Sequence, residues 1–182
     1  CWYCGCHTSV TRSAARIARY GDGLAKEAAM VAGLLPAHGG VEALHLGGGT
    51  PTFLSDAELE DLMAMIRRHF NLAPGGEYSV EVDPRTVDAA RLNTLHRLGF
   101  NRLSFGVQDF DPAVQKAVHR IQPAEQVFAL VAAARQIGFE SVNVDLIYGL
   151  PLQTPESFRR TLAQLAELRP DRVALYGYAH LP

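Results

Sequence analysis

Short apolar runs of strand length alternate along the chain with longer stretches whose apolar positions recur at helical spacing. The short runs cover residues 42–46, 78–82, 102–105, 141–147 and 172–176, and helical periodicity fills 23–35, 56–70, 87–98, 123–137 and 155–168. Local punctuation agrees with these bounds. Ser55, three residues ahead of Glu58, forms a capping-box pattern at the start of one helix. Thr154 followed by Pro155 opens another, with proline at the first helical position. Gly99 and Gly138 stand where two helices must stop before the next strands begin.

Repeated βα units predict an α/β fold with a parallel sheet, and five strands at this spacing favour a (β/α) barrel or part of one. A doubly wound sheet is the rival arrangement, and it usually carries a glycine-rich turn after its first strand. Here each strand end carries a different polar motif: Gly47-Gly48-Gly49-Thr50-Pro51, Glu81-Val82-Asp83-Pro84-Arg85, Gly106-Val107-Gln108-Asp109-Phe110, Asp145-Leu146-Ile147-Tyr148-Gly149, and Tyr176-Gly177-Tyr178-Ala179-His180. A barrel brings such ends together around one mouth, whereas a flat sheet spreads them out.

The chain has 182 residues, 48% of them hydrophobic and 20% charged, which is the composition of one globular domain over residues 1–182. Seventeen basic and 19 acidic residues give a formal charge of -2 without long blocks, so nothing calls for a nucleic acid or an anionic membrane as partner. The sequence contains no apolar run of bilayer-spanning length and no secretion leader, and a cytoplasmic location is expected.

All three cysteines fall at Cys1, Cys4 and Cys6. Disulfides tie distant segments together, so this clustering argues for a metal or redox site in a reducing compartment. The Cys1–Cys4 spacing suits an iron cluster or zinc; zinc would need a second pair, which the sequence lacks. His7 lies so close to Cys6 that it reads as a solvated loop residue. The glycine run at 47–49 lacks the lysine of a P-loop, and by itself it is a flexible turn or a place where backbone approaches a ligand. Asp83 and Arg85 read as a pair shaping the loop around Pro84, and His119 as an exposed helix residue. Tyr148, Tyr176 and Tyr178 read equally as barrel-edge aromatics or as stacking surfaces.

The stretch Cys1-Trp2-Tyr3-Cys4-Gly5-Cys6 resembles the end of the radical S-adenosylmethionine signature, C-x-x-x-C-x-x-C, with Cys1 and Cys4 at its second and third cysteines. Cys6 resembles an additional cysteine of the oxygen-independent coproporphyrinogen III oxidases, which is not a cluster ligand there and which related haem chaperones usually lack. The motifs Gly-Gly-Gly-Thr-Pro-Thr, Gly-Val-Gln-Asp-Phe and Asp-Leu-Ile-Tyr-Gly-Leu-Pro occur in family order, so the resemblance runs essentially end to end.

This resemblance implies a partial radical S-adenosylmethionine barrel whose first strand and first cluster cysteine precede residue 1. Its substrate cavity would be completed beyond Pro182. It implies a 4Fe–4S cluster held in part by Cys1 and Cys4, with one iron left to chelate S-adenosylmethionine. Tyr3, Gly48, Gly49, Thr50 and Glu81 then inherit cofactor contacts, Gln108, Arg120 and Asp145 contacts to a second S-adenosylmethionine, and Ala179 a contact to adenosine. In the resembled family, a 5'-deoxyadenosyl radical takes hydrogen from propionate groups of coproporphyrinogen III. Loss of carbon dioxide and a further electron leaves vinyl groups, giving protoporphyrinogen IX, so an electron donor and an acceptor are implied partners. No acid–base pair competes with that chemistry. The alternatives are a haem-binding chaperone relative and a zinc-stabilised or metal-free α/β domain. The 182 residues alone are expected to be inactive.

Overall fold

Each βα unit is closed by local hydrogen bonds that the sequence specifies. The computed structural model describes residues 3–4, 11, 13–36 and 39–179. Helix α1 (Ala14–Leu34) is capped by Ser13, and α2 (Asp56–His69) by the Ser55–Glu58 capping box, with Ser55 donating its amide to Glu58 Oε2 at 2.7 Å. In α2, acidic Asp56 and Glu58 occupy the first turn and Arg67, Arg68 and His69 the last, complementing the helix dipole. Asp88 caps α3 (Ala89–Arg97), Asp111 caps the short α4 (Pro112–Ala117), and Thr154 with Ser157 closes a second capping box on α6 (Pro155–Leu168). Helix α5 (Ala124–Ile137) ends on Gly138 at φ 108, a left-handed position that favours glycine.

Between the helices run β1 (Val41–Leu46), β2 (Leu72–Val82), β3 (Arg102–Gln108), β4 (Ser141–Tyr148) and β5 (Arg172–Gly177). They form a 5-stranded sheet in the order β1-β2-β3-β4-β5, every neighbour parallel. A doubly wound sheet reverses its strand order at a switch point. The unbroken order is that of a curled half-barrel, as the helix-covered spacing predicts.

The register aligns side chains in layers. Glu81 pairs with Ser104, Ser104 with Asn143, and Asn143 with Arg172, one step from the layer Gly106, Asp145 and Ala174. Because parallel partners share a face, these polar residues all line the concave side. The alternate positions, Val80, Leu103, Phe105, Val107, Val142, Val144 and Leu146, are fully buried or nearly so. They pack with Leu59 and Met63 of α2, Leu92 and Leu95 of α3, and Val127 and Val131 of α5. Truncating one such large side chain, for example Phe105 to Ala, costs about 3–5 kcal/mol, so this core fixes the strand positions on which the concave face depends.

Two boundaries differ most from the periodicity. Helix α1 starts at Ala14 rather than at residue 23; it buries none of its residues, and Gly21 and Gly23 interrupt its helical pattern. Strand β2 starts at Leu72 rather than 78, since Val41 pairs with Leu72 before a bulge brings Ala43 opposite Glu77. Pro74, Gly75 and Gly76 fill that bulge and break the strand pattern. No helix among the described residues is long and apolar enough to cross a membrane.

Candidate functional site

Alternation along all five strands turns polar side chains into a groove of about 390 Å³ on the concave face, lined by His45, Glu81, Ser104, Asn143, Asp145 and Tyr176 among others. At its mouth the glycine turn after β1 meets the end of β2. The Gly48 amide donates to Glu81 Oε2 at 3.2 Å, while Glu81 Oε1 lies 3.4 Å from His45 Nε2. His45 Nδ1 in turn lies 2.7 Å from Ser79 Oγ. A Cβ on Gly47 would stand 2.6 Å from His45 Nε2 and 2.8 Å from Glu81 Oε1, so only glycine admits this approach. Thr50 turns its hydroxyl to the Gly49 carbonyl at 2.8 Å.

The next two strand ends supply cationic and amide donors. Arg120 is buried, and its Nε donates to the Gly106 carbonyl at 3.2 Å while Nη1 lies 3.4 Å from Asp83 Oδ2. Asp83 also receives Arg85, with Nε at 2.9 Å from Oδ1 and Nη2 at 2.6 Å from Oδ2. The pairing expected across Pro84 is therefore present, and it extends to Arg120. Burial opposes ionisation of Asp83, but the hydrogen bonds from Arg85 and the nearby Arg120 charge prevail and hold its carboxyl below the usual carboxylate range. Gly106 is also a close approach: a Cβ there would meet Arg120 Nη2 at 2.9 Å and Gln108 Nε2 at 3.1 Å. Gln108 has φ 69, and its Oε1 is sealed off with no hydrogen-bond partner among the described residues.

Asp145 lies one strand over. Ser104 Oγ donates to both its oxygens at 3.2 Å, and Asn143 Nδ2 donates to Oδ1 at 2.7 Å. Burial nevertheless lifts its carboxyl above the ordinary range, aided by the Glu81 charge and opposed by the hydrogen bonds and by Arg120. The Asp145 charge, then partial burial, then Glu81 raise the Tyr176 phenol as well.

Tyr3 packs with Tyr178 on the small apolar cluster of Val114, Val118, Ile147 and Leu150 at the strand ends. Burial raises its phenol, and Arg120 pulls the other way. Ala179 is exposed just past β5, where the Tyr178 amide still pairs with the Tyr148 carbonyl at 2.9 Å. Cys4 is an exposed free thiol. Cys1, Cys6, His7 and His180 lie outside the described residues. Among the described residues no group of three His, Cys, Asp or Glu side chains converges as a metal site.

A model of the radical SAM superfamily matches residues 1–165. The chain belongs to that superfamily. The radical SAM chain is 50% identical over 182 residues to the oxygen-independent coproporphyrinogen III oxidase of Escherichia coli K12, covering all of this chain and 40% of that protein. It is 48% identical over 184 residues to the enzyme of that name from Pseudomonas aeruginosa, with the same coverage. The solved structure of E. coli coproporphyrinogen III oxidase (HemN), described as a radical SAM enzyme, superposes with a TM-score of 0.93 at 49% identity, over all of this chain and 42% of that one. The chain thus spans about two fifths of the length of the curated relatives it matches.

Radical SAM proteins carry a 4Fe–4S cluster and S-adenosylmethionine, and the mouth fits the second of these. Glu81 and Asp145 offer acceptors for an amine or a sulfonium, and Arg120 a planar donor array for a carboxylate. The clearances at Gly47 and Gly106 bring those groups to the backbone. Tyr3, Glu81, Gln108, Arg120 and Asp145 meet at this one mouth, within electrostatic reach of one another or at adjoining strand ends. His45, Ser79, Ser104 and Asn143 belong to it too, although the sequence reading passed over them, and Gly47 joins them from the glycine run already singled out. Their signal was parity, since each strand residue lies an even number of positions from Glu81 or Asp145 or pairs laterally with such a position.

Proposed function

We propose that the full-length protein is an oxygen-independent coproporphyrinogen III oxidase, which oxidatively decarboxylates two propionates of coproporphyrinogen III to vinyl groups and yields protoporphyrinogen IX. The observation that carries this reading is 50% identity over all 182 residues to an enzyme of that name. When bound, the cluster and S-adenosylmethionine supply the one-electron chemistry that opens a propionate C–H bond. The chain's own residues bind and orient. Cys1 and Cys4 act as two cluster ligands. Gly48, Gly49 and Thr50 present backbone to the methionyl group, Glu81 takes its ammonium, and Tyr3 and Ala179 pack against the cofactor. Arg120 takes the carboxylate of a second S-adenosylmethionine, with Gln108 and Asp145 beside it.

The concave face supports these assignments because it is polar while the opposite face is the core. A cytoplasmic protein with an electron donor and an acceptor completes the reading. The 182-residue segment, two fifths of its relatives' length, does not turn over by itself.

Anaerobically reconstituted full-length protein, given reductant, S-adenosylmethionine and coproporphyrinogen III, is expected to form protoporphyrinogen IX. Stoichiometric haem binding without product would overturn the reading in favour of a haem chaperone. Changing Cys1 or Cys4 to Ala is expected to abolish cluster assembly, and normal iron content in either variant would refute the ligand assignment.

A further inference from the structure

Behind the mouth lies a second polar cluster that faces the protein interior. Asp109 is 1% exposed, immediately after Gln108, and its carboxylate accepts three hydrogen bonds. Oδ1 accepts the Asp111 amide at 2.7 Å and the Thr161 hydroxyl at 2.6 Å, and Oδ2 accepts Gln153 Nε2. The orientation of each partner is fixed elsewhere. Thr161 Oγ1 also accepts the Phe110 amide at 3.2 Å, and Gln153 Oε1 accepts the Gly149 amide. Gln115 Nε2 donates to the Asp109 carbonyl at 2.9 Å, closing the other side of the turn.

A carboxylate is an acceptor at both oxygens, which is what three donors require. An amide of the same shape would turn its NH2 onto one of those donors whichever way it flipped. The cluster therefore demands an acid at a fully buried position, and it joins the loop after β3 to the loop after β4 and to α6. Buried carboxylates without such partners are costly, so the arrangement needs a reason beyond packing.

The adjoining backbone supplies one. Gln108 sits in the left-handed region at φ 69, next to a shift in the β3–β4 register between Gly106 and Gln108. Non-glycine residues hold such a conformation only where surrounding structure over-determines it. The cluster anchors the backbone that follows Gln108, through the Phe110 and Asp111 amides and the Asp109 carbonyl, while the Asp109 amide donates to the Val107 carbonyl at 2.9 Å. The Gln108 amide lies over Gly106 beside the Arg120 guanidinium, on the same face of the strand as Gly106.

We infer that Asp109 is a positioning residue for S-adenosylmethionine binding: its hydrogen-bonded carboxylate holds Gln108 in left-handed backbone and so aims the Gln108 amide at the ligand beside Arg120. The inference rests on the proposed contact of Gln108 and Arg120 with bound S-adenosylmethionine. It adds a residue that touches no ligand and yet sets the affinity of that site.

The test is a double-mutant cycle on reconstituted full-length protein, with equilibrium dialysis of labelled S-adenosylmethionine, iron content and thermal unfolding measured for each variant. Gln108→Ala and Asp109→Asn are each expected to weaken the site about tenfold, the factor for one lost hydrogen bond to a charged group. Iron content stays at the wild-type level. The double variant is expected to bind no worse than Gln108→Ala, because Asp109 acts only through that side chain, while the loss of thermal stability persists in both backgrounds. Should Asp109→Asn fail to fold, Thr161→Val removes one donor and replaces Asp109→Asn in the cycle. Full additivity of the affinity losses overturns the inference, as does wild-type binding by folded Asp109→Asn. Wild-type binding by Gln108→Ala removes instead the proposed ligand contact, and the inference falls with it.

Discussion

Asp83 lies 3.4 Å from Arg120 and is gripped at both oxygens by Arg85, so one largely buried carboxylate serves two guanidinium groups at the mouth. The Asp83 and Arg120 side chains are only 11% and 9% exposed, which removes most of the solvent screening that makes surface pairs weak. Because Arg85 shares the carboxylate, Arg120 is oriented without being fully neutralised. That leaves it suited to an anionic ligand.

Asp83→Asn removes the negative charge and leaves the buried Arg120 and the more exposed Arg85 without their shared counter-charge. Losing one member of a buried pair costs about 3–5 kcal/mol. The pH dependence has a definite sign. The folded carboxyl titrates below its usual 3.8, so its stabilisation is present above that value and is lost as pH falls through the depressed folded one. Urea unfolding of the full-length protein is expected to show the variant less stable at neutral pH, with the difference shrinking in acid. A gap that stays constant down to pH about 3 would contradict this.

Asp145 has the opposite sign. Burial raises its carboxyl, so the protonated form suits the folded state, and ionisation costs stability as pH rises through the folded value. Asp145→Asn keeps an acceptor for Asn143 and removes that cost. Thermal unfolding at neutral pH is expected to occur at the wild-type temperature or above, while S-adenosylmethionine affinity falls about tenfold with loss of the charged acceptor. A variant that is destabilised and binds normally would reverse both halves.

Gly47→Ala tests the close approach at the glycine turn. The added methyl would lie 2.6 Å from His45 Nε2 and 2.8 Å from Glu81 Oε1, so one of these side chains must leave its place. Both are exposed at the mouth and free to swing, so the fold is expected to lose less than about 1 kcal/mol while ligand affinity drops. Binding unchanged by Gly47→Ala would show that Glu81 is not held here for the ligand.

Much of this arrangement is legible in the sequence, and the reasons differ by element. Helices with strong caps, such as α2 behind Ser55 and α6 behind Thr154, announce themselves through local hydrogen-bond chemistry. Glu81 stands next to the end of β2 and Asp145 in the C-terminal half of β4, and a parallel barrel gathers both on its concave face. The inner face was harder to read. Ser79, Ser104 and Asn143 interrupt apolar runs, and only the lateral register makes them one surface. Helix α4 has 6 residues, too few to show a period. The Gln153–Asp109 hydrogen bond joins positions 44 apart, a pairing that no local pattern encodes.

Arg120 separates the two roles of the mouth. Its Nε and Nη2 both bind the Gly106 carbonyl while Nη1 reaches Asp83, a planar fork that a lysine cannot reproduce. Arg120→Lys preserves the charge, so if charge alone matters, affinity for S-adenosylmethionine is retained. The geometry predicts otherwise: the single ammonium satisfies one of the two acceptors, and the ligand carboxylate loses its bidentate partner. Arg120→Lys and Arg120→Ala are both expected to weaken binding about tenfold or more, with the lysine variant recovering only a minor part of the loss. Cluster iron should be unaffected in both, since the hydrogen bonds of Arg120 among the described residues tie it to β3 and the β2 loop. Measuring iron content alongside a cofactor titration checks both statements, and lysine binding at the wild-type level would reduce the role of Arg120 to a point charge.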